Sequence, residues 1–223
     1  MVTDTLSLAL RERLDAGLQQ TSLHVTDSQR TRLVNYVLLL SKWNKTHNLT
    51  AIKSPAEMIT RHVLDSLSIS PYVTAGALLD VGAGAGLPGI PLAVTRGDIS
   101  VTLVDSVNKK TQFMAFAATS LGLTNVIVQH TRIENLSVES QFPMVTARAF
   151  ADIGKLCELT RRHVLPGGRI LAMVGRQPEH EQLESYQQIA GFLLERIENL
   201  LVPGEHAQRN LVILTRCSEQ SRL

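Results

Sequence analysis

Twelve residues, Leu78 to Gly89, read L-L-D-V-G-A-G-A-G-L-P-G. Glycines let a backbone turn with positive φ and come close to a ligand. Gly82, Gly84 and Gly86 give GxGxG and not GxGxxG, because position 87 is Leu. A dinucleotide site uses its third glycine to pack a helix beside a pyrophosphate. No P-loop Lys-Ser/Thr follows, so phosphate cradling is not expected either. Asp105 comes 19 residues after Gly86, at the end of the next apolar run. A carboxylate there can accept both ribose hydroxyls of a bound nucleoside.

These residues are placed by strands that alternate with helices from Ala77 onward, the mark of a parallel sheet with covered faces. Apolar runs at Ala77–Val81, Ser100–Val104, Asn125–Gln129 and Met144–Ala147 are short enough to be buried strands. Helices are expected near Pro88–Thr95, Asn108–Leu121 and Ala151–Val164. A Pro166-Gly167-Gly168 turn feeds a fifth strand, Arg169–Val174, and a polar helix is expected at Glu179–Ala190. Phe192–Val202 and Leu211–Thr215 then form a pair joined through Pro203-Gly204. That link is too short for a crossover helix, so the two strands should be antiparallel. Five parallel strands and an antiparallel hairpin make an α/β Rossmann-like sheet of the class I methyltransferase kind, and Asp-x-Gly-x-Gly-x-Gly resembles the loop of those enzymes. In that pattern the residues after the third strand lie against adenine. Here they are Arg132, Ile133 and Glu134, with Ile133 as an apolar face.

The first third is helical in pattern. Thr26-Asp27 can cap a helix running to about Trp43, with Leu33, Tyr36, Val37 and Leu40 at helical spacing. Asn44–Lys53 reads as a loop. Ser54 followed by Pro55 and Glu57 is an N-cap with proline at the first helical position. The helix it opens carries Arg61, His62 and Asp65, the last two spaced to pair. The expected division is a helical extension at 1–70, a cofactor-binding domain at 71–217 and a polar tail at 218–223.

Net charge is +2 and the pI about 8.7, which excludes a uniformly basic coat and leaves room for a local basic patch. Asp4, Arg11 and Glu12 interrupt any secretory leader, and Val34–Leu40 is far short of a membrane span. Cys157 and Cys217 share no metal spacing and read as two buried, reduced thiols of a cytoplasmic protein. No metal cluster is apparent.

The residues after the fourth strand face the methyl acceptor in such enzymes. Thr146-Ala147-Arg148-Ala149-Phe150 lacks the Asn/Asp-Pro-Pro-aromatic motif of exocyclic-amine methylation. Neither cysteine suits attack on a pyrimidine carbon. No general base or metal for oxygen methylation stands out. An acceptor that needs no deprotonation fits, such as guanine N7, whose lone pair mainly requires alignment. Arg148 can donate to guanine O6, contact phosphate or hold the methionine carboxylate. Phe150 can stack a flipped base or belong to the core. A protein or small-molecule acceptor, a nucleotide-dependent oxidoreductase and a non-catalytic RNA-binding module are the competing readings. Low aromatic content disfavours the first, Leu87 and the terminal strand pair the second, and the intact Asp80, glycine loop and Asp105 the third.

The runs Trp43–Thr50 (W-N-K-T-H-N-L-T), Arg61–Ser66, Asp80–Pro91, Leu103–Ser106 and Ala147–Phe150 resemble the RsmG family, also called glucose-inhibited division protein B. The resemblance covers about Thr26 to Thr215. It implies transfer of a methyl group from S-adenosylmethionine, without a metal, to N7 of a guanine in the decoding-region 530-loop of bacterial 16S rRNA. The partner it implies is that rRNA or the small ribosomal subunit, and a monomer is expected because RNA would occupy the one functional face. It further implies that Gly82, Leu87, Ile133, Glu134 and Arg148 contact the cofactor, with Gly84, Gly86 and Asp105 close by. The N-terminal helices face RNA, which makes Lys42, Lys45, His47, Lys53, Arg61 and His62 candidate contacts. The family commonly shows Leu-Lys-Gly after its fifth strand. This chain has Met173-Val174-Gly175-Arg176, and Arg176 becomes a further RNA candidate, although arginine does not replace lysine donor for donor.

Overall fold

A computed structural model describes residues 2–137, 141–148, 150, 152–176 and 190–217, with side chains from Thr5 onward. Its centre is a seven-stranded sheet of order β3-β2-β1-β4-β5-β7-β6. The strands are β1 (Gly76–Val81), β2 (Ile99–Asp105), β3 (Val126–His130), β4 (Phe142–Arg148), β5 (Val164–Val174), β6 (Phe192–Asn199) and β7 (Asn210–Arg216). The first five pair in parallel. Strand β7 runs antiparallel to both β5 and β6, as the short Pro203-Gly204 link requires.

Helix α5 (Gly89–Thr95), α6 (Asn108–Ser120) and α7 (Ile153–Thr160) cross between strands, and two apolar cores lie on the two sheet faces. Core residues of α1 (Val2–Leu18) and α2 (Asp27–His47) join those of β1, β2, α5 and α6, so the N-terminal helices and the sheet share one core. Thr26 caps α2 in a reciprocal box with Gln29. Gln29 Nε2 also donates to the Thr95 carbonyl at the end of α5, 3.0 Å away. The start of α2 is thereby tied to the end of α5.

Several boundaries differ from expectation. Helix α2 continues through Asn44–His47 and stops at Asn48, whose left-handed φ of 48° supplies the C-cap. The Ser54-capped helix is α3 (Pro55–Met58), then a π-helical stretch Ile59–Leu64, then α4 (Asp65–Leu67). Strand β5 starts at Val164 because Pro166-Gly167-Gly168 is absorbed as a bulge: Phe142 pairs Val164, and Met144 pairs Arg169. Strand β6 ends at Asn199, and the Leu200 N–H then bonds the Arg209 carbonyl at 2.7 Å. The polar helix expected at 179–190 and the tail at 218–223 lie outside the described residues, apart from Ala190 in a turn. Cys157 is buried, with its thiol pushed up to about 12 by burial, whereas Cys217 is half-buried and not buried as expected.

Candidate active site

Backbone geometry at the ends of β1 and β2 follows from two aspartates. Asp80 is fully buried, and its Oδ2 accepts the Gly89 N–H at 2.8 Å where α5 begins. Asp105 Oδ2 accepts the Gly84 N–H at 2.9 Å, and its Oδ1 accepts the Val107 N–H at 2.9 Å. Between them Gly82, Gly84 and Gly86 hold φ values of 67°, 60° and 86°, the left-handed region that side chains resist. The loop is also braced from outside the sheet. Tyr36, buried on α2, donates its hydroxyl to the Ala85 carbonyl at 2.8 Å.

Two cavities open at this edge. One, of about 380 Å³, is lined by Gly82, Asp105, Val107, Ile133, Glu134 and Arg148, among others. Gly84, Gly86 and Leu87 shape the loop behind it without lining it. The exposed Gly82 backbone, the Asp105 carboxylate and the apolar pair Val107 and Ile133 suit a ribose flanked by a flat base. Among its walls the sequence singled out Gly82, Asp105, Arg132, Ile133, Glu134, Arg148 and Phe150, the last of which also packs, half-buried, against the second core. It missed Val107, whose apolar type beside Asp105 was the available signal, and Lys110, whose Nζ lies 3.4 Å from Asp105.

The second cavity, of about 320 Å³, lies beyond Arg148 and is walled by Arg61, His62, Asp65, Met173, Arg209 and Asn210, with apolar neighbours. Arg148 borders both cavities. Its Nη1 donates to Asp65 Oδ2 and to the Arg61 carbonyl, each at 3.1 Å. Arg209 Nε donates to Asp65 Oδ1 at 3.0 Å. The expected His62–Asp65 pairing is therefore overturned. His62 turns its Nε2 to Thr50 Oγ1 at 2.8 Å and its Nδ1 to the Arg61 carbonyl at 3.0 Å, while Asp65 faces the two arginines. The π-helical segment sets these directions; such wide turns recur at functional sites. Arg61 pairs with Glu205 at 3.1 Å. Lys42, Lys45 and Lys53 are exposed and make no ion pair among the described residues. His47 packs against Trp43 with ring centroids 5.0 Å apart, and Arg176 is exposed beyond β5.

Burial, aided by the Arg148 charge, pushes His62 down to about 4. Burial pushes Asp80 up to about 7, against the Gly89 N–H and Arg148, which both favour its charge. The signs oppose. Neutral His62 contributes stability that is complete above its ordinary value of 6.5 and is lost as pH falls toward 4. Protonated Asp80 contributes stability present below its ordinary 3.8 and lost as pH rises toward 7. Replacing His62 by Gln should therefore help the variant relative to the parent on acidification. Urea unfolding at neutral pH and near pH 4 should show a gain of about 2–3 kcal/mol in that difference. An unchanged difference would mean that His62 protonates freely in the folded protein.

Residues 29–212 match the family model for rRNA small subunit methyltransferase G, GidB. The chain belongs to that family. A relative from Methylobacillus flagellatus, Ribosomal RNA small subunit methyltransferase G, is 42% identical over 207 residues, covering 92% of this chain and 98% of the relative. The [4+2]-cyclase SpnF is similar in fold, with a TM-score of 0.58 at 16% identity over 87% of this chain and 97% of its own. M. jannaschii TYW2, solved in complex with AdoMet, gives a TM-score of 0.54 at 16% identity, over 69% and 74% of the two chains. These two likenesses show the class I fold alone. GidB-family membership makes the chain an S-adenosylmethionine-dependent methyltransferase, and the oxidoreductase reading falls with it. Among the described residues no helix is long and apolar enough to cross a membrane, and no group of three or more His, Cys, Asp or Glu could hold a metal ion.

Proposed function

We propose that this enzyme methylates N7 of a guanine in the 530-loop of small-subunit rRNA, with the cofactor in the Asp105 cavity and the base in the Asp65 cavity. The observation that carries the reading is Arg148, set between the two cavities. S-adenosylmethionine supplies an electrophilic methyl: the N7 lone pair takes the methyl carbon, sulfur keeps the C–S electron pair, and positive charge passes to the base. No proton moves, and the acceptor cavity is built accordingly. Its one imidazole, His62, has both nitrogens engaged and a value near 4, which makes it a poor general base at neutral pH.

On this reading Gly82, Asp105, Ile133 and Glu134 hold the nucleoside end of the cofactor, while Gly84, Gly86 and Leu87 fix the loop. Arg148 aligns the acceptor, and its donors suit guanine O6 beside N7. Residues 1–70 form the RNA-facing part: Lys42, Lys45, His47 and Lys53 reach RNA from the last two turns of α2 and the loop after it. Arg61 and His62 border the base, Arg176 meets RNA beyond the cavity's Gly175, and the protein acts as a cytoplasmic monomer on rRNA or the small subunit. The exposure of Lys42, Lys45 and Lys53, without an ion pair among the described residues, supports this placement, and binding should weaken steeply with salt.

The test is methyl transfer from labelled cofactor to small subunits of cells lacking the enzyme, with the labelled nucleotide located by digestion and mass spectrometry. Label at one guanine N7 in the 530-loop is expected. Label on another atom or nucleotide would overturn the acceptor assignment and leave the fold and cofactor standing.

A further inference from the structure

Methyl transfer to N7 brings a positive charge into a cavity that already faces three guanidiniums, those of Arg61, Arg148 and Arg209. Set against them, Asp65 is the one carboxylate among the lining residues. Its side chain is 4% exposed, and each oxygen takes a different arginine: Oδ2 takes Arg148 from the end of β4, and Oδ1 takes Arg209 from the loop before β7. Glu205 stands behind the wall, where it accepts Arg209 Nη2 at 3.1 Å and Arg61 Nε at 3.1 Å. The cations are thus tethered from two sides, yet only Asp65 offers negative charge on the cavity side.

A buried carboxylate between two cations carries a large desolvation cost, and removing it alone would leave its partners uncompensated. Asp65 therefore anchors both arginines. The chemistry gives its charge a second use. Arriving positive charge meets repulsion in a cavity lined by guanidiniums, and the interaction is stronger at such a partly buried site than in bulk solvent.

We infer that Asp65 is a positioning residue for methyl transfer, one that fixes Arg148 and Arg209 and supplies the counter-charge for the cationic product. This rests on the acceptor reading above. It makes Arg148 usable: a guanidinium can donate to guanine O6 beside N7 without opposing the charge that forms there, because Asp65 offsets it. It also assigns a place to Arg209, which holds the Asp65 carboxylate in line from the far side.

The first test is Asp65→Asn, which keeps size and one acceptor while removing charge. Single-turnover transfer at saturating cofactor should fall about 100-fold, with cofactor affinity by calorimetry within about threefold. Asp65→Glu should recover at least about tenfold of that loss, because it restores charge on a longer arm. A second readout needs no turnover: binding of guanosine and of the cation 7-methylguanosine to the cofactor-free protein, followed by NMR titration in mildly acidic buffer. The parent protein should prefer the cation, and Asp65→Asn should lose that preference. Glu205→Gln, which removes a carboxylate behind the wall and leaves both Asp65 pairs in place, should keep it. Transfer within threefold of the parent in Asp65→Asn, or an equal loss of cation preference in Glu205→Gln, would overturn the assignment and leave Asp65 a structural anchor. Label found on an atom other than a guanine N7 would instead break the acceptor reading, and the comparison of Asp65→Asn with Asp65→Glu on that acceptor would still decide the role of charge.

Discussion

Arg148→Ala is expected to lower single-turnover methyl transfer by about two to three orders of magnitude, the cost of removing one preorganised donor at a transfer site. The geometry gives two reasons for an effect at the upper end. Arg148 borders both cavities, so its loss removes whatever it donates to the acceptor and merges the two spaces. Its loss also leaves the buried Asp65 with Arg209 as its one ion-pair partner, and breaking a buried pair from one side costs about 3–5 kcal/mol. Both rate and thermal midpoint should therefore fall, which separates Arg148 from a surface arginine capping a strand. Arg148→Lys keeps charge and one nitrogen to meet Asp65 and the Arg61 carbonyl, as Nη1 does, but not the planar fork whose other donors suit the acceptor. It should recover stability more than rate. Transfer by Arg148→Ala within tenfold of the parent would remove this residue from the reaction.

The second large effect belongs to Gly86. It holds φ at 86°, and an added Cβ would lie 2.7 Å from Ile90 Cγ1, a fully buried side chain on α5. Left-handed strain of about 1 kcal/mol adds to about 1–3 kcal/mol for overpacking. At about 2–4 °C per kcal/mol for a chain of this size, Gly86→Ala should lower the thermal midpoint by about 4–16 °C. Cofactor affinity should fall by about tenfold or more, because the Ile90 N–H bonds the Gly86 carbonyl at 2.7 Å and any shift of one moves the loop. A Gly86→Ala protein that melts and binds cofactor like the parent would show that the loop relaxes without cost. Gly82→Ala is the control. Its Cβ would meet only Phe150, at 3.8 Å, so most of its penalty should come from φ alone.

These two residues also mark what the sequence discloses. Gly86 and Asp105 belong to local patterns, a loop and the end of the next strand, and local patterns carry their own geometry. The strands are placed for the same reason, within one or two residues except at β5, where a bulge hid inside an apparent turn, and at β6, which ends three residues early. Arg148 was legible as a strand-end residue, but its partners were not. Asp65 lies 83 positions before it and 144 before Arg209, and only the sheet order brings the three together. Spacing of three along a helix suggested a His62–Asp65 pair. The π-helical turn sends the two side chains to different neighbours, and nothing in the residue types announces such a turn.

The reversed direction of β7 reaches beyond this reaction. Asn210 opens β7 opposite Val174 at the end of β5, and Asn199 closes β6 opposite Asn210, so residues 200–209 leave and re-enter the sheet at one edge. That segment carries Arg209 to the Asp65 cavity and Glu205 behind its wall, while the Asp105 cavity is built from β1, β2 and the turns after β3 and β4. On the proposed reading, donor and acceptor sit on opposite halves of a single rim. Residues 200–209 pair with no strand among β1–β5, so their exposed positions can be exchanged without touching that register, provided Leu200 and Val202 keep their place in the core and Arg209 its hold on Asp65. For anyone redesigning the enzyme, this is the place to alter recognition while the half built on β1 and β2 is inherited.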